Sequence, residues 1–166
     1  MKQVMIDVSR CLGCKSCELA CAVVHSESKS LIGAVFEEKK PKKRVCVETG
    51  DNITFPLQCR HCDDARCIDA CMSGAMFRDA ETQTVQVNPD RCVGCWMCVM
   101  VCPFGAISQQ REENTAIKCD RCVNDDVPAC VQACPTKAIK FIEIDAFSRD
   151  KRNQYLTNFR FLEEGK

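Results

Sequence analysis

The apolar positions of this chain fall into short, separated bursts rather than long periodic stretches. Val4 to Val8 is brief and rich in branched residues, so it predicts a strand. From Lys15 to His25 the pattern turns helical, with Cys17 and Cys21 four apart on one face. Val45 to Glu48 and Asn52 to Phe55 predict a hairpin through Thr49 to Asp51, with Gly50 in the turn. Further strand pairs are expected from Ala75 to Arg78 with Thr84 to Val87, and from Ala106 to Ser108 with Thr115 to Ile117. Ala138 to Ile142 predicts a closing strand. After Asp145, Phe147, Tyr155, Leu156, Phe159 and Leu162 recur at loosely helical spacing, predicting a C-terminal helix laid across a neighbour. Between these elements, Glu37 to Arg44 is a charge run containing Pro41. It reads as a solvated loop, with a partner-docking patch as its functional alternative.

At 166 residues the chain can hold a modest apolar core, but aromatic residues make up only 6% of it, so much of the interior is expected to be inorganic. What the chain has instead is 17 cysteines. Cys92-Val-Gly-Cys95-Trp-Met-Cys98-Val-Met-Val-Cys102-Pro103 reads C-x2-C-x2-C-x3-C-P, the ligand run of bacterial ferredoxins. Three thiolates of such a run hold one cubane and the fourth reaches another, so one run implies a second. Three more are present: Cys11, Cys14, Cys17 and Cys21; Cys59, Cys62, Cys67 and Cys71; and Cys119, Cys122, Cys130 and Cys134. Four runs predict four [4Fe-4S] clusters. Gly13 and Gly94 stand between the first two cysteines of their runs, where a loop wrapping a cube needs backbone freedom. Cys46 lies outside every run and reads as a buried free thiol.

Runs one and three share Arg-Cys-x-Gly-Cys-x2-Cys-x3-Cys, whereas runs two and four have a widened second gap. The chain is thus two copies of a narrow-then-wide unit, about residues 11 to 78 and 92 to 142. This predicts an α+β fold of duplicated, ferredoxin-like β-α-β lobes with pseudo-twofold symmetry. Spacing leaves two pairings of the runs open, consecutive and nested.

Charge narrows the function. Twenty-three basic residues balance 23 acidic ones, which argues against a nucleic-acid footprint, and four cubanes would add roughly eight negative charges. No apolar stretch free of ligand cysteines is long enough to span a membrane. No signal peptide opens the chain, so a reducing cytoplasm with metal ligation is expected rather than a disulfide framework. Zinc in four-cysteine sites is the structural alternative, but the repeated C-x2-C-x2-C and trailing C-P suit cubanes better. A fully thiolate-ligated cubane has no open coordination position, so the expected function is non-catalytic electron relay. There is no phosphate loop, HExxH or paired-carboxylate pattern, and neither histidine has a nucleophile or base partner in its run. His61, between Cys59 and Cys62, reads as a hydrogen-bonding or surface residue. Arg10, Arg91 and Lys118 stand directly before first ligands, either raising cluster potentials or simply solvating the loops. A redox sensor is the alternative of another class, but it would need an output surface beyond the charged loop and the tail.

The four-run signature, over about residues 1 to 145, resembles the four-cluster iron-sulfur subunits that accompany molybdenum oxidoreductases, formate dehydrogenases, hydrogenases and carbon monoxide dehydrogenases. Arg10-Cys-Leu-Gly-Cys-Lys-Ser-Cys-Glu-Leu-Ala-Cys-Ala-Val-Val-His-Ser-Glu-Ser-Lys-Ser-Leu31 is most similar to the subunit associated with anaerobic carbon monoxide dehydrogenase. The resemblance implies nested pairing. Cluster 1 would take Cys11, Cys14, Cys17 and Cys134; cluster 2, Cys119, Cys122, Cys130 and Cys21. Cluster 3 would take Cys59, Cys62, Cys67 and Cys102; cluster 4, Cys92, Cys95, Cys98 and Cys71. It further implies two interleaved lobes, about 1–50 plus 115–145 and about 51–114, followed by a tail at 146–166. The implied partners are a carbon monoxide dehydrogenase as donor, and a hydrogenase or flavin-dependent NAD(P) oxidoreductase as acceptor. Formate dehydrogenase or hydrogenase is the alternative setting. Ala22 and Met72 stand where runs three and four have Pro103 and Pro135, which weakens the turn there but removes no ligand.

Overall fold

The computed structural model describes residues 2–160, with the side chains of Asn158 and Arg160 left aside. Eight short strands pair off as four separate two-stranded antiparallel ribbons. Three join neighbours in sequence: β2 (Val45–Gly50) with β3 (Ile53–Gln58), β4 (Met76–Arg78) with β5 (Val85–Val87), and β6 (Ile107–Gln110) with β7 (Thr115–Lys118). The fourth joins the ends of the chain: β1 (Lys2–Ile6) pairs with β8 (Ile139–Glu143), with Ile6 opposite Ile139. Among these strands lie α1 (Ser16–Val24), α2 (Leu31–Phe36), α3 (Arg66–Asp69), α4 (Met97–Val101), α5 (Ala129–Gln132) and α6 (Ile144–Arg160).

The expected strands are all present, with shifted ends. β1 ends after Ile6 because, past the in-register bond from the Asp7 amide to Ala138, Val8–Arg10 winds into a 3-10 turn toward Cys11. The first hairpin turns through Asp51 and Asn52, both at positive φ, as a tight two-residue turn requires. Gly50, expected in the turn, instead pairs with Ile53. The sequence gives no warning of α2. Ser30 caps it by accepting from Gly33, yet it buries only Ala34 and leaves Leu31, Ile32, Val35 and Phe36 exposed. Of the predicted helical steps, Cys17 and Cys21 both lie within α1, whereas Cys102 falls just past α4 in extended conformation.

Two apolar clusters form the interior, and cysteine dominates both. One joins Cys17, Cys21, Cys130 and Cys134 to Val45, Val47, Ala138 and Ile139. The other joins Cys98 to Met76, Ile107 and Ala116, with Cys67, Cys71, Cys92 and Cys102 packed against it. No aromatic side chain belongs to the buried core among the described residues. Buried carboxylates fasten the pieces: Glu18 of α1 accepts the Val47 amide at 2.6 Å and pairs with Lys43 at 2.7 Å.

The charge run is a strap rather than a free solvated loop. Lys39 pairs with Glu113, Lys42 donates to the Gln109 carbonyl at 2.9 Å, and Arg44 pairs with Asp120. Glu38, Lys39 and Lys40 remain exposed along it. Cys46 is free, as expected, but half-buried.

The C-terminal helix follows β8 without a break and packs on β1 and β8. Lys151 donates to Asp7 at 2.6 Å; Asp7 is 1% exposed and also accepts from Ser9. Burial opposes the Asp7 carboxylate, but Lys151 and Ser9 outweigh it and hold its pKa below the ordinary value. Tyr155, Leu156 and Phe159 are exposed, so only the first turns of the helix cover the neighbour. The predicted contribution of Leu162 lies outside the described residues. Lys151→Ala should strand a buried carboxylate and cost about 2 kcal/mol. Hydrogen exchange should show early opening of α6, with the difference from wild type vanishing as acid protonates Asp7. Unchanged exchange at neutral pH would refute the tether.

Candidate metal centre

All four cysteine runs open on the same backbone device. The residue before the second cysteine is left-handed in each: Gly13 at φ +69°, His61 at +48°, Gly94 at +67° and Arg121 at +65°. This bend turns successive cysteines toward one side. In the wide runs it also aims the amide of His61 at Cys59 Sγ (3.4 Å) and that of Arg121 at Cys119 Sγ (3.3 Å). Glycine adopts the conformation freely, whereas any other L-residue bears about 1–2 kcal/mol of strain. Sequence reasoning marked the glycines and missed their histidine and arginine counterparts, although the shared third position in C-x-x-C was the available signal.

The cysteine environment suits a soft metal group. All 17 thiols are free. Backbone amides also reach Cys21 from Arg44 (3.2 Å), Cys71 from Met76 (3.3 Å) and Cys92 from Ala116 (3.4 Å). Burial works to raise Cys71 and Cys134, but the amides and hydroxyls around them hold both below the ordinary thiol value. Elsewhere burial wins: it pushes Cys17 and Cys98 up to about 11 and Cys119 up to about 12. Dry thiols of this kind keep their protons until a cation displaces them, so metal loading should release protons. Iron-sulfur cubanes fit this donor set, since NH···S bonds and burial are what stabilise and tune such clusters.

The grouping of the cysteines is specific. A cavity of about 260 Å³ is lined by Cys59, Cys62, Cys67 and Cys102. A narrower one is lined by Cys71, Cys92, Cys95 and Cys98. Run one lies against run four: α1 packs on α5, and Cys17, Cys21, Cys130 and Cys134 share one buried cluster. Cys59 and Cys119 line one narrow gap, so the two wide runs meet there. Cys14 and Cys95 are the exposed cysteines of the sixteen.

Charged groups fill the seams. His25, for which its own run offers no partner, gains Asp120 at 3.2 Å from Nε2, while its Nδ1 donates to the Cys21 carbonyl at 2.7 Å. Burial opposes the imidazolium, but Asp120 and Cys21 raise its pKa to about 9. Burial likewise opposes the Asp120 carboxylate, which His25 and Arg44 hold well below the usual range. His25, Asp120 and Cys122 converge within 4.8 Å, yet both ring nitrogens already serve as donors, so the group is an ion triad with Arg44 rather than a further metal site. Of the basic residues before first ligands, Arg10 is exposed and Arg91 reaches the Ser73 carbonyl. Lys118 is 4% exposed and donates to the carbonyls of Val85 and Cys119, so it does not merely solvate a loop. His61 is buried, not on the surface. Burial first, then the cations Lys118 and Arg121, lower its pKa to about 3, and its Nδ1 accepts the Val85 amide at 3.1 Å.

No helix among the described residues is long and apolar enough to cross a membrane. Residues 51–144 match the model of the 4Fe-4S dicluster domain, and residues 8–24 that of a 4Fe-4S binding domain. The chain is 44% identical to the "Iron-sulfur protein" of Rhodospirillum rubrum over 87% of its own length and 83% of the relative's. It is 35% identical to "Electron transport protein HydN" of Escherichia coli K12, covering 91% of this chain and 95% of that one. To "Protein NrfC" of the same strain it is 38% identical, over 84% of this chain and 64% of the relative.

Proposed function

We propose, from the premise that this chain belongs to the 4Fe-4S dicluster domain family, that it is the four-cluster relay subunit of an oxidoreductase complex. The chain is an electron-transfer iron-sulfur protein that binds multiple [4Fe-4S] clusters. The proposal concerns their number, ligands and service. The observation that carries it is the pair of cavities, each lined by three cysteines of one run and one of another.

On this reading the ligand sets are Cys11, Cys14, Cys17 with Cys134; Cys119, Cys122, Cys130 with Cys21; Cys59, Cys62, Cys67 with Cys102; and Cys92, Cys95, Cys98 with Cys71. Bound there, the clusters supply one-electron storage at four successive stations. The protein holds the thiolates, leaves only Cys14 and Cys95 of the sixteen exposed and directs amide N–H groups at sulfur. Meeting of Cys59 and Cys119 supports the order 1-2-3-4, with exposed Cys14 and Cys95 at the two ends as ports for partners. The duplicated lobes, about 1–50 with 115–145 and about 51–114, are stitched by the β2–β3 and β6–β7 ribbons, which straddle both seams. The donor we favour is a carbon monoxide dehydrogenase, on the similarity of residues 10–31. A hydrogenase or flavin-dependent NAD(P) oxidoreductase would accept the electrons in the cytoplasm.

The test is iron, acid-labile sulfide and zinc per chain on anaerobically purified protein, followed by electron paramagnetic resonance on reduction. About sixteen iron and sixteen sulfide are expected, with coupled signals appearing under carbon monoxide and its dehydrogenase. Full iron, with reduction only by formate or hydrogen and their enzymes, would move the chain to the alternative donor. Stoichiometric zinc with little iron would overturn the relay.

A further inference from the structure

The two wide runs place non-glycine residues where the narrow runs place glycine. His61 and Arg121 occupy equivalent positions, each at positive φ and each donating its amide to the first cysteine of its run. Their side chains turn inward, His61 being 7% and Arg121 9% exposed. Together they line a narrow gap with Cys59 and Cys119, the cysteines through which the two wide runs meet.

The polar atoms at this junction are unevenly served. His61 Nδ1 accepts from Val85, so the ring proton resides on Nε2. That Nε2 is buried and has no partner among the described residues. A buried donor without an acceptor is a liability unless a bound group supplies one. His61 also lines the cavity of Cys59, Cys62, Cys67 and Cys102. The Arg121 side chain lies on the gap between Cys119 and Cys59. Lys118, the other cation here, is committed to the Val85 and Cys119 carbonyls.

We propose that His61 and Arg121 set the potentials of the two middle clusters: His61 donates Nε2–H to sulfur of the cluster on Cys59, Cys62, Cys67 and Cys102, and Arg121 places its charge between that cluster and the one on Cys119, Cys122, Cys130 and Cys21. The inference rests on the ligand sets proposed above. Each station gains one negative charge on reduction, so a donor or cation beside it favours the reduced form and raises its potential. Both residues are positioning residues, holding the centre of the relay above what the bare thiolates would give. An uphill dip at the middle is thereby avoided.

Glycine is the informative replacement, because it keeps and even relaxes the left-handed bend. In the full chain, purified anaerobically, His61→Gly and Arg121→Gly should each retain about sixteen iron. In potentiometric titrations followed by electron paramagnetic resonance, His61→Gly should lower one couple and Arg121→Gly two. At a fixed poise the reduced-to-oxidised ratio should fall about tenfold, which is about 59 mV for a one-electron couple. Full iron with unmoved potentials would overturn the proposal while leaving the relay intact. Should His61→Gly lose iron, His61→Asn decides, since asparagine tolerates the same bend and carries an N–H. Restored iron and potential would support the donor role, and renewed loss would overturn it. Zinc in place of iron in the wild-type protein would instead remove the ligand sets themselves.

Discussion

Cys98→Ser is expected to remove one cluster, lowering iron from about sixteen to about twelve per chain. The thiol is buried in the second apolar cluster, 8% exposed, and lines one cavity with Cys71, Cys92 and Cys95. A serine there offers a hard oxygen with a far higher pKa, in a site that already opposes ionisation, so it will not replace the thiolate. On the proposed ligand sets, loss of this station would remove the end of the relay nearest exposed Cys95. Electron throughput from a reduced partner to the acceptor should collapse, while the partner's own reaction with an artificial dye stays at its wild-type rate. The paired measurement matters because it separates a broken wire from a broken complex. Unchanged throughput at twelve iron, with the complex intact on gel filtration, would rule out a linear path.

How far this could be read in advance depended on the range of the interaction. The ligand runs and hairpins are local: C-x2-C spacing, alternating branched residues and turn-formers decide them within a few positions, and the strands are found where expected. Their ends moved where the chain turns toward a ligand loop, as where Val8–Arg10 winds into a 3-10 turn before Cys11. The His25–Asp120–Arg44 triad joins residues up to 95 apart, and no periodicity reports such a meeting. The charge run looked solvated because its acceptors, Glu113, Gln109 and Asp120, lie in another part of the chain. Runs two and three are inner in sequence, yet Cys59 of run two and Cys119 of run four line one gap, so nesting in sequence does not predict which runs are neighbours. His61 and Arg121 were hidden for a different reason. Their backbone conformation is one that residue preference argues against, so nothing in the local sequence announces it.

The same left-handed position gives the sharpest test of the loops themselves, because the two glycines that occupy it face different surroundings. A Cβ on Gly13 would meet Thr54 Cγ2 at 3.2 Å, a methyl group on β3 that can shift by a few tenths of an ångström. A Cβ on Gly94 would meet the Asn114 side chain at 2.4 Å and the Asn114 backbone oxygen at 2.5 Å. Asn114 sits at φ +53° beside β7, so its backbone has little room to retreat. Both alanine variants bear the left-handed strain, about 1–2 kcal/mol, but Gly94→Ala adds an overpacking cost of about 1–3 kcal/mol. Gly13→Ala should therefore keep nearly full iron with a modestly lower unfolding temperature. Gly94→Ala should displace the loop carrying Cys92 and Cys95 and lose about four iron per chain. The difference arises from a neighbour contributed by the β6–β7 ribbon rather than from the glycine's own run. Equal iron retention in the two variants would show that this ribbon does not press on the third loop, and with that the packing of β6–β7 against the run would have to be redrawn.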